Sequence, residues 1–170
     1  ALLRGLGPDD RILHVTRDER SGEALAAFLR GALPERRVLF FPPWDCLPYD
    51  WASPSATAMG RRMSVLRQLA DPATAPRIVV ATPAAVLQRV PPLGAARAFP
   101  VRLGEPLDAQ ALRDFCDGTG YRIDERVDEP GEVAIRGGVV DLFDPDSDWP
   151  YRIEFNGGVT AIRRYDPATQ

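Results

Sequence analysis

The sequence predicts two domains of different class: an α/β subdomain with a parallel sheet over residues 1–93, then a small α+β, mainly antiparallel domain over residues 94–165. Three observations predict it. The first half alternates apolar strand-like runs with amphipathic helical stretches, the pattern of parallel strands joined by crossover helices. The second half holds one short helical stretch and then five strand-like segments separated by Gly, Pro, Asp and Asn. Between the two, Pro91, Pro92 and the small-residue run GAAR mark a boundary near residue 93.

Each element has a local reason. RILHVT (11–16) is an apolar run suited to a buried parallel strand. Asp18 can cap a helix to about Leu33, with Leu25, Phe28, Leu29 and Ala32 on one stripe, and Pro34 stops it. RVLFF (37–41) supplies the second strand. Ser55 can cap a helix to about Ala70, with Met59, Met63, Leu66 and Ala70 on one face. RIVVAT (77–82) is the third strand, and PAAVLQRV a short helix begun by Pro83 in its first turn. In the second half FPVRL (99–103) is a strand candidate, and LDAQALRDFC a short helix ended by Gly118 and Gly120. The five strand segments are YRIDERV, EVAIR, GVVDLF, YRIEF and GVTAIRRYD. There are no internal repeats.

Composition excludes several functions. The chain of 170 residues is 45% hydrophobic and 26% charged, a globular composition with no run long enough to span a bilayer. All 21 basic residues are arginine, so the chain holds no phosphate-loop, Schiff-base or catalytic lysine. His14, the single histidine, lies in an apolar run and reads as a core or strand-end imidazole. No nucleophile, base and acid assemble around it, so we assign no catalytic residue. Cys46 and Cys116 match no metal or redox spacing and read as buried small hydrophobes of a reducing cytoplasm. The acidic stretches DERVDEPGE (124–132) and DPDSD (144–148) read as solvated turns. Neither has the calcium-loop pattern, and we assign no metal. Residues 1–93 carry 12 arginines against 9 acids, and residues 94–170 carry 9 against 15. The acidic second half is a poor phosphate-backbone surface.

The loop FFPPWDCLPYDWASPS (40–55) is rich in both proline and aromatics, so it suits neither helix nor sheet interior yet is unlike disordered linker. Its structural reading places Trp44, Leu47, Tyr49 and Trp51 in the core, with Asp50 beside them and the prolines setting the path. A stacking platform for nucleotide or DNA is the competing reading. The missing lysines and the presence of Asp45 and Asp50 weigh against it.

FPPWDCLPYDWASPS, followed by Arg62 in a helix and by LQRVPP (87–92), resembles the N-terminal region of the bacterial transcription-repair coupling factor family, Mfd. Gly120-Tyr121, the run from Asp128 to Gly157 and IRRYDPATQ (162–170) follow the same pattern, so the resemblance covers residues 8–170. It implies a UvrB-like fold: a degenerate motor subdomain without nucleotide binding, then a UvrA-binding domain. Residues 166–170 would then be a return segment towards the first subdomain. It implies a non-enzymatic fragment that recruits UvrA in transcription-coupled nucleotide excision repair in the cytoplasm. RNA polymerase, DNA and ATP would be engaged only through later domains of an ATP-dependent DNA translocase. Two alternatives stay open: a fragment of an active UvrB-like ATP-dependent helicase, and an autoinhibitory packing module.

The resemblance also implies where UvrA would bind. The family's contact arginines fall on Arg136 in AIRGG and Arg152 in PYRIEF. A third position, often aromatic in the family, is Asn156 here, a departure that replaces an apolar anchor with a polar side chain. Strand alternation independently sets Arg152 and Glu154 opposite Tyr151, Ile153 and Phe155. Gly137-Gly138 suits a tight turn that presents Arg136 outward. Against a partner role stands internal pairing with Asp141, Glu132 or Glu154.

Overall fold

The computed structural model describes residues 10–47, 49, 51–73, 78–92 and 97–168, and the chain forms two compact units, residues 1–96 and 97–170.

The first unit runs β1 (Ile12–Val15), α1 (Glu19–Ala32), β2 (Val38–Phe41), α2 (Ala56–Ala70), β3 (Ile78–Ala81) and α3 (Pro83–Leu87). All three strands are parallel, in the order β1-β3-β2, so the last strand lies between the other two. Each helix begins on a side-chain cap that satisfies an otherwise unpaired amide. Asp18 accepts from Ser21, Ser55 from Ala58 and Thr82 from Ala85. One layer of core joins Ala26 and Leu29 of α1 to Val38, Ile78 and Val80. The other joins Val65 and Leu66 of α2 to Phe41, Ala81 and Ala85. Gly22 permits the close approach of α1, because a Cβ there would stand 2.5 Å from the Phe40 ring and 2.8 Å from the Thr16 hydroxyl.

Several expected core positions turn outward. Phe28 and Met59 are exposed, and the buried face of α2 is Ala58, Arg62, Val65 and Leu66. The stripe is shifted because α2 seats Arg62 at its centre. β1 is parallel as expected, yet its Leu13 and Val15 are exposed and His14 with them, unlike the other edge strand, β2, whose Val38 and Phe41 are buried.

The second unit runs α4 (Ala109–Gly118), β4 (Arg122–Ile123), β5 (Glu132–Arg136), β6 (Val139–Leu142), β7 (Tyr151–Asn156) and β8 (Gly158–Arg164). The sheet order follows the sequence, β4-β5-β6-β7-β8, parallel at the first pairing and antiparallel at the rest. Leu112 and Cys116 of α4 pack with Val133, Val140, Ile153 and Val159 on one face of this sheet. That burial pushes the Cys116 thiol up to about 11. Both cysteines are free, Cys116 buried as expected and Cys46 half-buried.

Three expectations here are corrected. FPVRL forms no strand: Pro100 has no amide to offer a ladder, and the segment packs Phe99 and Val101 against the core instead. Of YRIDERV only Arg122 and Ile123 enter the sheet, because the chain then turns to bury Val127 with Ala134 and Phe143. The acidic stretch ending at Glu132 is not wholly solvated. Glu132 is buried, accepts the amides of Asp128 and Glu129, and pairs with Arg122. A buried carboxylate that takes two amides fixes a turn rather than offering itself to solvent.

Candidate partner-binding face

The antiparallel register builds the site. Ala134 lies opposite Asp141, Asp141 opposite Arg152, and Arg152 opposite Arg163, in one row across β5 to β8. Alternation sets this row on the face away from Val133, Val140 and Ile153, which pack with α4. At the β5–β6 turn Gly137 has φ +56°, open to glycine and strained for other residues. Gly138 has no room for a side chain, as a Cβ there would stand 2.5 Å from the Phe155 carbonyl oxygen. This turn brings Arg136, the last residue of β5, towards Asp141.

The two arginines are unequal. Arg152 donates from Nε to Asp141 Oδ1 at 2.7 Å and from Nη2 to Oδ2 at 2.9 Å, a bidentate fork. Its guanidinium also lies 5.1 Å from the centre of the Tyr165 ring, whose hydroxyl donates to the Val127 carbonyl. The Asp141 hydrogen bonds raise the Arg152 pKa further. Arg136 approaches the same carboxylate only to 3.9 Å and remains 64% exposed, whereas the Asp141 side chain is 8% exposed. Beside them Arg163 donates to Glu154 Oε1 at 3.0 Å. Around Asp141 and Glu154 the face therefore gathers three guanidinium groups over two carboxylates.

The predicted arginines do come together, through Asp141. Of the internal pairs weighed from sequence, Asp141 with Arg152 is formed, Glu154 takes Arg163 instead, and Glu132 takes Arg122. Arg152 is half-buried rather than freely outward. Asn156 is exposed at the end of β7, one residue before Gly157, whose φ is +78°. Phe155 packs against the domain core, so it supplies no surface anchor in place of the absent aromatic. Sequence reading missed Arg163 and the stacked Tyr165. Both follow from cross-strand register, which a single strand's alternation does not contain.

The proline loop of the first unit is corrected more sharply. Trp44 alone is partly buried: its ring lies 4.4 Å from the Arg62 guanidinium and its amide donates to Gln88 Oε1. Leu47, Tyr49 and Trp51 are exposed at 70%, 96% and 106%, and Asp50 lies outside the described residues. Arg62, sandwiched between Phe41 at 4.2 Å and Trp44, already fills the space beneath the loop and donates to the Pro42 carbonyl. Asp45 then accepts the Ser55 amide, which ties the loop's two ends and leaves the residues between outside the core. Among the described residues, no helix is long and apolar enough to cross a membrane.

Residues 99–170 match the family model described as the UvrB interaction domain. The chain is similar to transcription-repair-coupling factors of several bacteria. It is 35% identical to that of Myxococcus xanthus over 90% of this chain and 13% of the relative. It is 34% identical to that of Mycobacterium bovis over 94% of this chain and 13% of the relative. The Escherichia coli K12 protein is 33% identical over 80% of this chain and 12% of its own length. The chain thus spans about an eighth of the curated relatives it matches.

Proposed function

We propose, from the premise that this chain is a relative of the transcription-repair-coupling factors whose residues 99–170 match the UvrB interaction domain, that it is their N-terminal adaptor region and recruits UvrA through the sheet face bearing Arg136 and Arg152. In this reading the first unit is a UvrB-like motor fold without nucleotide chemistry, and the chain is a non-catalytic, cytoplasmic piece of a longer protein. It uses no metal or nucleotide of its own. UvrA is its partner, while RNA polymerase, DNA and ATP are the business of other parts of the longer protein.

The single observation that carries the reading is the placement of Arg136. It is a mostly exposed guanidinium on a rigid strand end, beside a second arginine already ordered by a buried carboxylate. Arginine forks bind carboxylates bidentately and are enriched at protein interfaces. A domain that is acidic as a whole but locally cationic on one face suits a partner that presents carboxylates there. The test is calorimetric titration of UvrA into the chain and into the double reversal Arg136→Glu with Arg152→Glu. Binding by the parent and none by the folded double variant at micromolar concentration is the expected result. Equal binding by both would sink the site assignment.

A further inference from the structure

Resting on that reading, we infer that Asp141 is a positioning residue for the partner site: its buried carboxylate holds the Arg152 fork in place and keeps Arg136 gathered to the same spot before a carboxylate-bearing partner arrives. The donor count supports this. A guanidinium has five N–H donors, and the bonds from Nε and Nη2 to Asp141 use two of them. Both bonds lie on one edge of the planar group, so the rest of Arg152 stays available to an incoming carboxylate. The same guanidinium also lies over the Tyr165 ring, its Cζ 5.1 Å from the ring centre, which gives it a second fixed neighbour. Arg136, 3.9 Å from Asp141 Oδ2, shares the attraction without being locked.

Two opposite effects of Asp141 have to be weighed. As a negative charge it reduces the attraction of the face for an acidic partner and occupies donors the partner could use. As a fixed acceptor it removes rotamer freedom that binding would otherwise have to remove, which favours association. Burial decides between them. With an 8% exposed side chain, Asp141 meets little competition from solvent, so its hold on Arg152 persists in the free protein. A partner therefore meets an arginine already in position, and the ordering effect outweighs the lost charge.

The experiment follows association and dissociation of purified UvrA on the immobilised chain at physiological salt, with melting curves for every variant. Asp141→Asn removes a negative charge from the face, so simple electrostatics predicts tighter binding. Positioning predicts binding weaker by about tenfold, mainly through faster dissociation. Asp141→Glu, which can remake the fork, is expected within about threefold of the parent. Glu105→Gln makes the same charge change at a residue paired with Arg102 elsewhere in the unit, and is expected to leave binding as it was. Unchanged or tighter binding by folded Asp141→Asn overturns the inference. Should that variant fail to fold, Tyr165→Leu, which strips the stack from Arg152 and leaves every carboxylate in place, is read instead. Weaker binding supports positioning, and parental binding overturns it. Arg136→Glu separates the two levels: if it binds as the parent does, the partner-site reading itself fails, whatever Asp141 does.

Discussion

Arg62 in the first unit and Arg152 in the second are held by opposite means. Arg62 is 1% exposed and, among the described residues, has no carboxylate beside it and no hydrogen-bond partner for its Nη2; two aromatic rings and one backbone carbonyl hold it. Burial accordingly lowers its pKa. Arg152 keeps a third of its side chain in solvent, and a buried carboxylate takes one edge of it. The first arrangement serves packing: the planar group fills a slot between Phe41 and Trp44 and leaves nothing to offer a partner. The second leaves an ordered edge outside. Chemically identical side chains thus do different work, and the position of the nearest carboxylate separates them.

The largest way to break this contrast is at Arg62. Arg62→Ala would empty the slot and uncover both rings, and we expect a loss of about 3 kcal/mol in chemical denaturation. Arg62→Met, which refills the slot without a charge, should stay within about 1 kcal/mol of the parent. If Met costs as much as Ala, the guanidinium's charge matters more than its shape and the contrast dissolves.

Arg152→Ala and Arg136→Ala sharpen it within the second unit. Arg152→Ala strands the buried Asp141 carboxylate, so it should cost about 1–2 kcal/mol of stability as well as weakening UvrA binding. Arg136→Ala should weaken binding about tenfold with a melting temperature close to the parent's, because an exposed pair 3.9 Å apart contributes little. Equal melting by both variants would place Arg152 outside the fold's own network.

Tyr49→Ala tests the loop. With Tyr49 96% exposed, the change should be under about 0.5 kcal/mol, whereas the half-buried Trp44, which covers Arg62, should cost about 2 when cut to Ala. A large loss at Tyr49 would restore the packed-loop reading. The smallest effect is at the first helix cap. Two hydrogen bonds from Ser21, then Arg17, hold Asp18 down to about 2 from an ordinary value near 3.8. A carboxylate depressed in the folded state stabilises above its unfolded pKa and loses that contribution as pH falls through about 2. Asp18→Asn, which caps nearly as well, should match the parent at pH 7 and show a shallower decline of stability between pH 4 and pH 2. Identical acid profiles would remove Asp18 from the account.

What the sequence determined by itself was local. Apolar runs, caps at Asp18 and Ser55, Pro83 at the start of its helix, and glycine–proline punctuation marked the main elements, since each depends on residues within a turn or two of one another. The parallel-then-antiparallel division was legible for the same reason, in spacing alone. The candidate arginines were legible too, through motif resemblance and strand alternation. Only the tertiary structure decided which charges meet. That Asp141 takes Arg152 while Glu154 takes Arg163 depends on the register of three strands, set by contacts across the sheet. It decided likewise that Arg62 lies beneath the proline loop while Tyr49 and Trp51 stay outside. An aromatic side chain carries no mark of whether the space it would fill is already taken, and here Arg62, 13 places beyond Tyr49 and 11 beyond Trp51, had taken it.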